Sequence, residues 1–172
     1  MDLKQHIRQV PDFPKAGINF FDISTLIGHA KAWRTTIERM TDMVKPWQPD
    51  VLAAVDARGF LVASPLALSL NCGMLMVRKS GKLPGKVKSH SYRLEYATDT
   101  LEIQHDAVKS GQRVIVLDDL LATGGTLSAA TTLLQDSGAN VVGAACLIEL
   151  AFLKGRDRLE VPFAALLSYD NE

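Results

Sequence analysis

The sequence holds two cysteines, no excess of either charge and no apolar run long enough to span a bilayer, and each shortage removes a class of function. Cys72 and Cys146 stand far apart among small or apolar neighbours, with no CxxC pair and no histidine at metal-ligand spacing. The expectation is two reduced core thiols in a cytoplasmic protein, with neither a disulfide framework nor a thiolate metal cage. The 19 basic and 19 acidic side chains cancel, so no global field recruits nucleic acid or an anionic membrane as a partner. The opening stretch, MDLKQHIRQV, has no apolar h-region, so no leader or membrane anchor is expected there. Internal repeats and low-complexity linkers are absent as well. What is present is a 47% hydrophobic fraction over 172 residues. That suits one domain, 1–172, burying about 70% of the surface its unfolded chain exposes.

The stretch Arg113 to Ser128, RVIVLDDLLATGGTLS, organises the rest. Its apolar run, Val114 to Leu117, reads as a strand covered on both faces, as in a parallel sheet. Asp118 and Asp119 stand at the carboxyl end of that strand, where open α/β sheets place their ligands. Thr123-Gly124-Gly125-Thr126 follows and opens a helical pattern with Leu127, Ala130, Leu133 and Leu134 on one face. A Gly-rich turn opening a helix offers backbone N–H groups and the positive dipole end to an anion. Paired acidic acceptors beside such a cradle fit a ligand with vicinal hydroxyls and a phosphate, as in a ribose 5-phosphate unit. A Walker A loop needs Lys where Thr126 stands, and a dinucleotide fingerprint puts its glycines before its acid; neither fits.

Elsewhere, Leu3, Ile7 and Val10 are spaced for a short first helix that Pro11 ends. The segment Phe13 to Ser24, FPKAGINFFDIS, reads as an irregular apolar loop, a core plug rather than a lid over a flat ligand on its composition. A helix is expected from Ala30 to Val44, with Trp33, Ile37, Met40 and Val44 on one face. Val51 to Val55 is a second buried strand, and Asp56-Ala57-Arg58-Gly59 opens a helix from Phe60 to Leu70. Arg58 there supplies a fixed positive fork to a second anion nest. Met74 to Val77 is a third strand and runs into RKSGKLPGKVK. At that strand's end Arg78, Lys79 and Lys82 are candidates for phosphate, while Lys86 and Lys88 read as solvated. From Ser91 the period changes to two, a hairpin inserted as a flap over a site at about residues 85–106. Gly138 is expected just past the signature helix, followed by strands at Val141 to Ile148 and Phe163 to Leu167, with a short helix near Phe152 to Leu159 between them. Strands alternating with helices make an α/β domain with a mostly parallel sheet flanked by helices.

The form DDLLATGGT resembles the ribosyl-diphosphate signature of the type I phosphoribosyltransferases, and of the adenine phosphoribosyltransferases in particular. The resemblance covers nearly the whole chain, from PDFPKAGINFFDIS through DARGF, VRKSGKLPG, SYRLEY and TDTLEIQ to LIEL and LKGRDRL. It implies that family's fold, with a small N-terminal hood at about residues 1–30. It also implies transfer of a phosphoribosyl group from phosphoribosyl diphosphate (PRPP) to adenine with Mg²⁺, in a homodimer. By position, Asp118 and Asp119 would take the ribose hydroxyls, and Ala122, Thr123, Gly124, Gly125 and Thr126 the 5′-phosphate. Arg58, Lys79 and Lys82 would hold diphosphate. Ile18, Phe20 and Phe21 would line the adenine pocket, Glu95 would handle the adenine proton, and Tyr96 would help close the loop. Mg²⁺ would favour oxygens of diphosphate, ribose and water, so no protein ligand is named. The chain departs from the family at Ala16, usually Pro, at Ala97, usually Gly, and at Phe21, often a basic residue. Ala122 argues against a 6-oxopurine relative, which carries Asp there. The balanced charge and the absence of an N-terminal extension argue against a DNA-binding regulator on the same fold.

Overall fold

The computed structural model describes residues 1–93 and 98–171. Glu95, Tyr96 and Ala97, at the tip of the expected hairpin, therefore lie outside the described residues. The chain opens with a 3-10 turn, Leu3–His6, whose Lys4 N–H donates to the Asp2 carboxylate at 3.0 Å. Strands β1 (Arg8–Val10) and β2 (Phe20–Asp22) follow and pair antiparallel. A helix was expected over Leu3 to Val10. Leu3 and Ile7 are indeed buried, but only Leu3–His6 is helical, as a 3-10 turn, and Arg8–Val10 takes its backbone partners from β2 instead.

Helix α1 (Ser24–Ile27) leads to α2 (Ala30–Val44), capped by the His29 ring, whose Nδ1 accepts from the Ala32 N–H at 3.2 Å. Ile37, Met40 and Val44 are buried along α2, and Trp33 is half-buried. Then come β3 (Val51–Val55), α3 (Arg58–Leu70), β4 (Gly73–Lys79), β5 (Val87–Arg93) and β6 (Thr98–Gln104). The chain finishes with β7 (Arg113–Leu121), α4 (Gly125–Asp136), β8 (Asn140–Leu150) and β9 (Phe163–Tyr169). Between β8 and β9, two 3-10 turns, Ala151–Leu153 and Gly155–Arg158, stand where a short α-helix was expected. Gly138 sits one residue past the C-cap Ser137 at φ +96°, the left-handed position that ends a helix cheaply only with glycine.

The main sheet has seven strands in the order β5-β6-β4-β3-β7-β8-β9. From β4 to β9 the pairings are parallel, while β6 pairs antiparallel with β4 and with β5. The hairpin is thus an extension of the sheet edge, joined through Arg78 opposite Glu102 and Lys79 opposite Leu101. Alternation along the central strands splits the core in two. Leu52, Ala54, Ile115 and Leu117 face α1, α2 and α3, whereas Val51, Ala53, Val55, Val114 and Val116 face α4. Because both faces are covered, these strands read as unbroken apolar runs. The two-stranded hood is pinned to the sheet by Phe21, which is 2% exposed with its ring centroid 4.5 Å from that of Tyr169 on β9. Phe21→Ala should therefore lower stability by about 3–5 kcal/mol. A denaturant midpoint matching wild type would show that the hood is not anchored there.

Candidate active site

Everything chemical gathers where β3, β7 and β8 end. Strand β7 runs past its two acids to Leu121, so Asp118 and Asp119 still belong to the sheet. Asp119 is 4% exposed, and the Asp118 Oδ1 accepts its backbone N–H at 2.8 Å. Arg58 Nε lies 3.0 Å from Asp119 Oδ2, close enough to supply charge. No N–H is aligned on that oxygen, which has no hydrogen-bond partner among the described residues. Burial pushes both carboxyls above the ordinary aspartate value. The neighbouring Asp119 charge raises Asp118 further, and Arg58 pulls Asp119 partly back.

Ala122, Thr123, Gly124, Gly125 and Thr126 line one narrow pocket at the N-terminus of α4 with Asp118. Gly124 adopts φ +84°, and a Cβ there would meet the Gly155 carbonyl oxygen at 2.2 Å. The sequence reading tied these glycines to close approach of an anion. The structure adds a second reason, close approach of the loop after β8.

A polar cleft opens beside this pocket, lined by Asp56, Arg58, Lys79, Tyr92, Asp99 and Thr126 together with both acids. Lys79 Nζ pairs with Asp99 Oδ2 at 2.8 Å, which raises the ammonium and lowers the carboxyl. The Tyr92 hydroxyl stands 3.3 Å from Thr126 Oγ1 and donates to Asp99 Oδ2 at 3.4 Å, so the hairpin touches the glycine loop before α4 directly. Sequence reasoning passed over Tyr92 and Asp99, which carried only the period-two signal of a strand and its turn. Lys82 is exposed on the turn after β4 and does not line the cleft. Arg78 is spent on bracing: its Nε donates to Asp56 Oδ2 at 3.0 Å and its Nη1 to the Lys82 carbonyl at 3.2 Å.

On the far side of Arg58 lies an apolar pocket of about 320 Å³. Its lining includes Gly17 to Phe21, Leu120, Ala122, Leu150, Phe152 and Leu153. Of the expected base-pocket residues, Ile18 is 45% exposed, and Phe20 is half-buried under the Arg58 guanidinium at 4.9 Å. Phe21 borders the pocket but turns its ring into the core, so it acts mainly as the plug that composition suggested. Leu120, Leu150, Phe152 and Leu153 were not foreseen, because a pocket wall made of apolar side chains at strand ends and in the turn that follows looks like ordinary core in a sequence. Among the described residues no set of three or more His, Cys, Asp or Glu side chains is grouped to hold a metal. Nor is any helix there long and apolar enough to cross a membrane.

Comparison with known proteins agrees with this geometry. The model of the phosphoribosyl transferase domain matches residues 29–165. An adenine phosphoribosyltransferase of Rhodospirillum rubrum is 63% identical over 171 residues, covering 99% of this chain and 100% of that one. The crystal structure of the enzyme of that name from Thermoanaerobacter pseudethanolicus superposes with a TM-score of 0.95 at 46% identity, covering 98% of each chain. The Saccharomyces cerevisiae protein, complexed with adenine and an imino-altritol bisphosphate, gives a TM-score of 0.93 at 36% identity over 96% of this chain and 97% of that one. This chain belongs to the phosphoribosyl transferase family, among its adenine phosphoribosyltransferases.

Proposed function

We propose that this protein transfers the 5-phosphoribosyl group of PRPP to adenine, giving AMP and diphosphate, a purine-salvage step. The observation that carries the reading is the junction of an apolar pocket with a phosphate loop across Leu120 and Ala122, which line both. An adenine on one side and a 5′-phosphate on the other would leave the ribose above Asp118 and Asp119. The yeast relative, complexed with adenine, supports adenine as the base.

In this reading the anomeric C–O bond of PRPP breaks, diphosphate leaves with the electron pair, and adenine N9 attacks the ribosyl carbon. The ribosyl group should gain oxocarbenium character on the way, as in glycoside chemistry. Asp118 and Asp119 accept from the ribose hydroxyls, which fix the sugar and place negative charge below the cationic ring. Arg58 and Lys79 line the cleft where diphosphate would sit, and Lys82 would have to travel with its turn to join them. Lys79 must exchange Asp99 for the phosphate oxygens. Glu95 takes the N9 proton and Tyr96 helps to close the flap; both follow Arg93 and precede Thr98 in the sequence, and the flanking Tyr92 and Asp99 rim the cleft.

Asp118 and Asp119 offer oxygen donors only, desolvated, with Asp119 Oδ2 lacking a hydrogen-bond partner among the described residues, which suits a hard cation that arrives with the substrate. Mg²⁺ would supply charge neutralisation on the leaving diphosphate, with Asp118 and Asp119 near its shell and no all-protein cage. A cytoplasmic setting is proposed on the two free thiols, Cys72 and Cys146. A homodimer is proposed through the apolar face of Trp33, Phe60, Leu61 and Leu68, where Leu68 is 82% exposed. Light scattering that returned the mass of a single chain would remove that part of the reading.

The deciding assay offers adenine, hypoxanthine and orotate separately with PRPP and Mg²⁺, and only adenine should yield nucleotide. Glu95→Gln should lower kcat by about 10²–10⁴-fold with PRPP affinity nearly unchanged. Unchanged turnover would reduce Glu95 to the polar side of a solvated hairpin. The raised Asp118 carboxyl also makes a stability statement. The folded state holds that proton more tightly than the unfolded one, so this group's contribution falls as pH climbs from the ordinary aspartate value through the raised one. Asp118→Asn should consequently raise the melting temperature of the ligand-free protein at neutral pH while weakening PRPP by about 1.5–3 kcal/mol. A lower melting temperature with intact PRPP binding would contradict both halves.

A further inference from the structure

The loop 151–158 between β8 and β9 reaches both halves of the site. Phe152 and Leu153 line the apolar pocket. Gly155 sits so close to the phosphate loop that a Cβ on it would come 2.2 Å from the Ala122 carbonyl oxygen and 2.9 Å from the Gly124 nitrogen. The next residue, Arg156, forks onto Glu149 of β8, with Nε to Oε1 at 2.9 Å and Nη2 to Oε2 at 2.6 Å. Its guanidinium also covers the Phe163 ring of β9 at 4.9 Å. Glu149 is only 6% exposed and stands opposite Leu121, the residue before the phosphate loop. Only the carboxylate is buried, the Arg156 side chain being 54% exposed, so water screens the pair and its contribution to stability is small. What the fork does supply is a fixed orientation, because a planar guanidinium on a carboxylate has one good geometry.

We propose that Arg156, anchored by Glu149, is a positioning residue that fixes the separation between the apolar pocket and the phosphate loop at the reach of one nucleoside 5′-monophosphate. The proposal rests on the reading that base and 5′-phosphate occupy those two pockets. A ligand spanning both gains from its second half only when the pockets are held at its own span. A ligand filling one pocket does not sense that spacing. Loss of the fork therefore costs the joined ligand more than either fragment.

The experiment measures binding of adenine, ribose 5-phosphate and AMP to the whole protein by calorimetry, with the melting temperature alongside. Arg156→Lys keeps the charge but loses the planar fork. AMP should weaken by about tenfold or more, and adenine and ribose 5-phosphate alone by less than about threefold. Glu149→Gln, which keeps the shape of the acceptor, should give the same pattern and carries the comparison if the lysine variant folds poorly. A fall in melting temperature with AMP affinity at the wild-type level would overturn the proposal, as would equal loss for all three ligands. Failure of the wild type to bind AMP would overturn the site reading and the proposal with it. Normal wild-type binding with unaffected variants would overturn the proposal alone.

Discussion

Two carboxylates held at the covered end of an apolar strand are the constraint on which the rest of this molecule depends. Asp118 and Asp119 lie on β7, with α3 packed on one face of the sheet and α4 on the other, so both are largely desolvated although they border the cleft, Asp119 at 4% exposed. Desolvation disfavours their charge, and a single guanidinium, Arg58, offsets it without an aligned hydrogen bond. A site in that condition favours ligands that bring hydroxyl donors and positive character. In the proposed reading, a phosphoribosyl group passing through a cationic state would bring both. The core has to offset this arrangement, and it does so with strands such as Val51–Val55, buried at every position.

Arg58 connects the two halves of the site. It pairs with Asp119, lies over Phe20, and borders both the polar cleft and the apolar pocket. Its fork ties the charged chemistry to the hood, so the N-terminal segment that Phe21 pins to Tyr169 also sets where Arg58 can stand. On the opposite rim the hairpin makes a matching link, with Tyr92 reaching Thr126 and Asp99 holding Lys79. Lys79 therefore begins as one half of an ion pair, and in the proposed reading a diphosphate would have to outcompete Asp99 for it. Such competition favours a dense anion over a lone phosphate.

The loop from Ala122 to Thr126 is tighter than its motif implies. Gly124 and Gly155 approach each other so closely that neither can carry a side chain, and the two belong to loops far apart in sequence. The glycine at position 124 was readable from TGGT alone as part of an anion nest. Its contact with Gly155 was not, because nothing local to either residue announces the other.

The sequence by itself determined the parallel α/β layout, the buried strands Val51–Val55 and Val114–Leu117, helix α2 at its observed ends, and the cradle from Ala122 to Thr126 beside two acids. Those features are local: period, glycine placement and the helix dipole act over a few residues. Tertiary structure decided what local rules cannot weigh. It turned Arg8–Val10 into a strand because β2 was there to pair with it. It joined the hairpin to the sheet edge, turned Phe21 inward, left Lys82 outside the cleft and spent Arg78 on Asp56. It also made a pocket wall from Leu120, Leu150, Phe152 and Leu153, which a sequence presents only as core. An aliphatic side chain at a strand end carries the same local signal whether it meets another side chain or a cavity, and only packing from distant elements distinguishes the two.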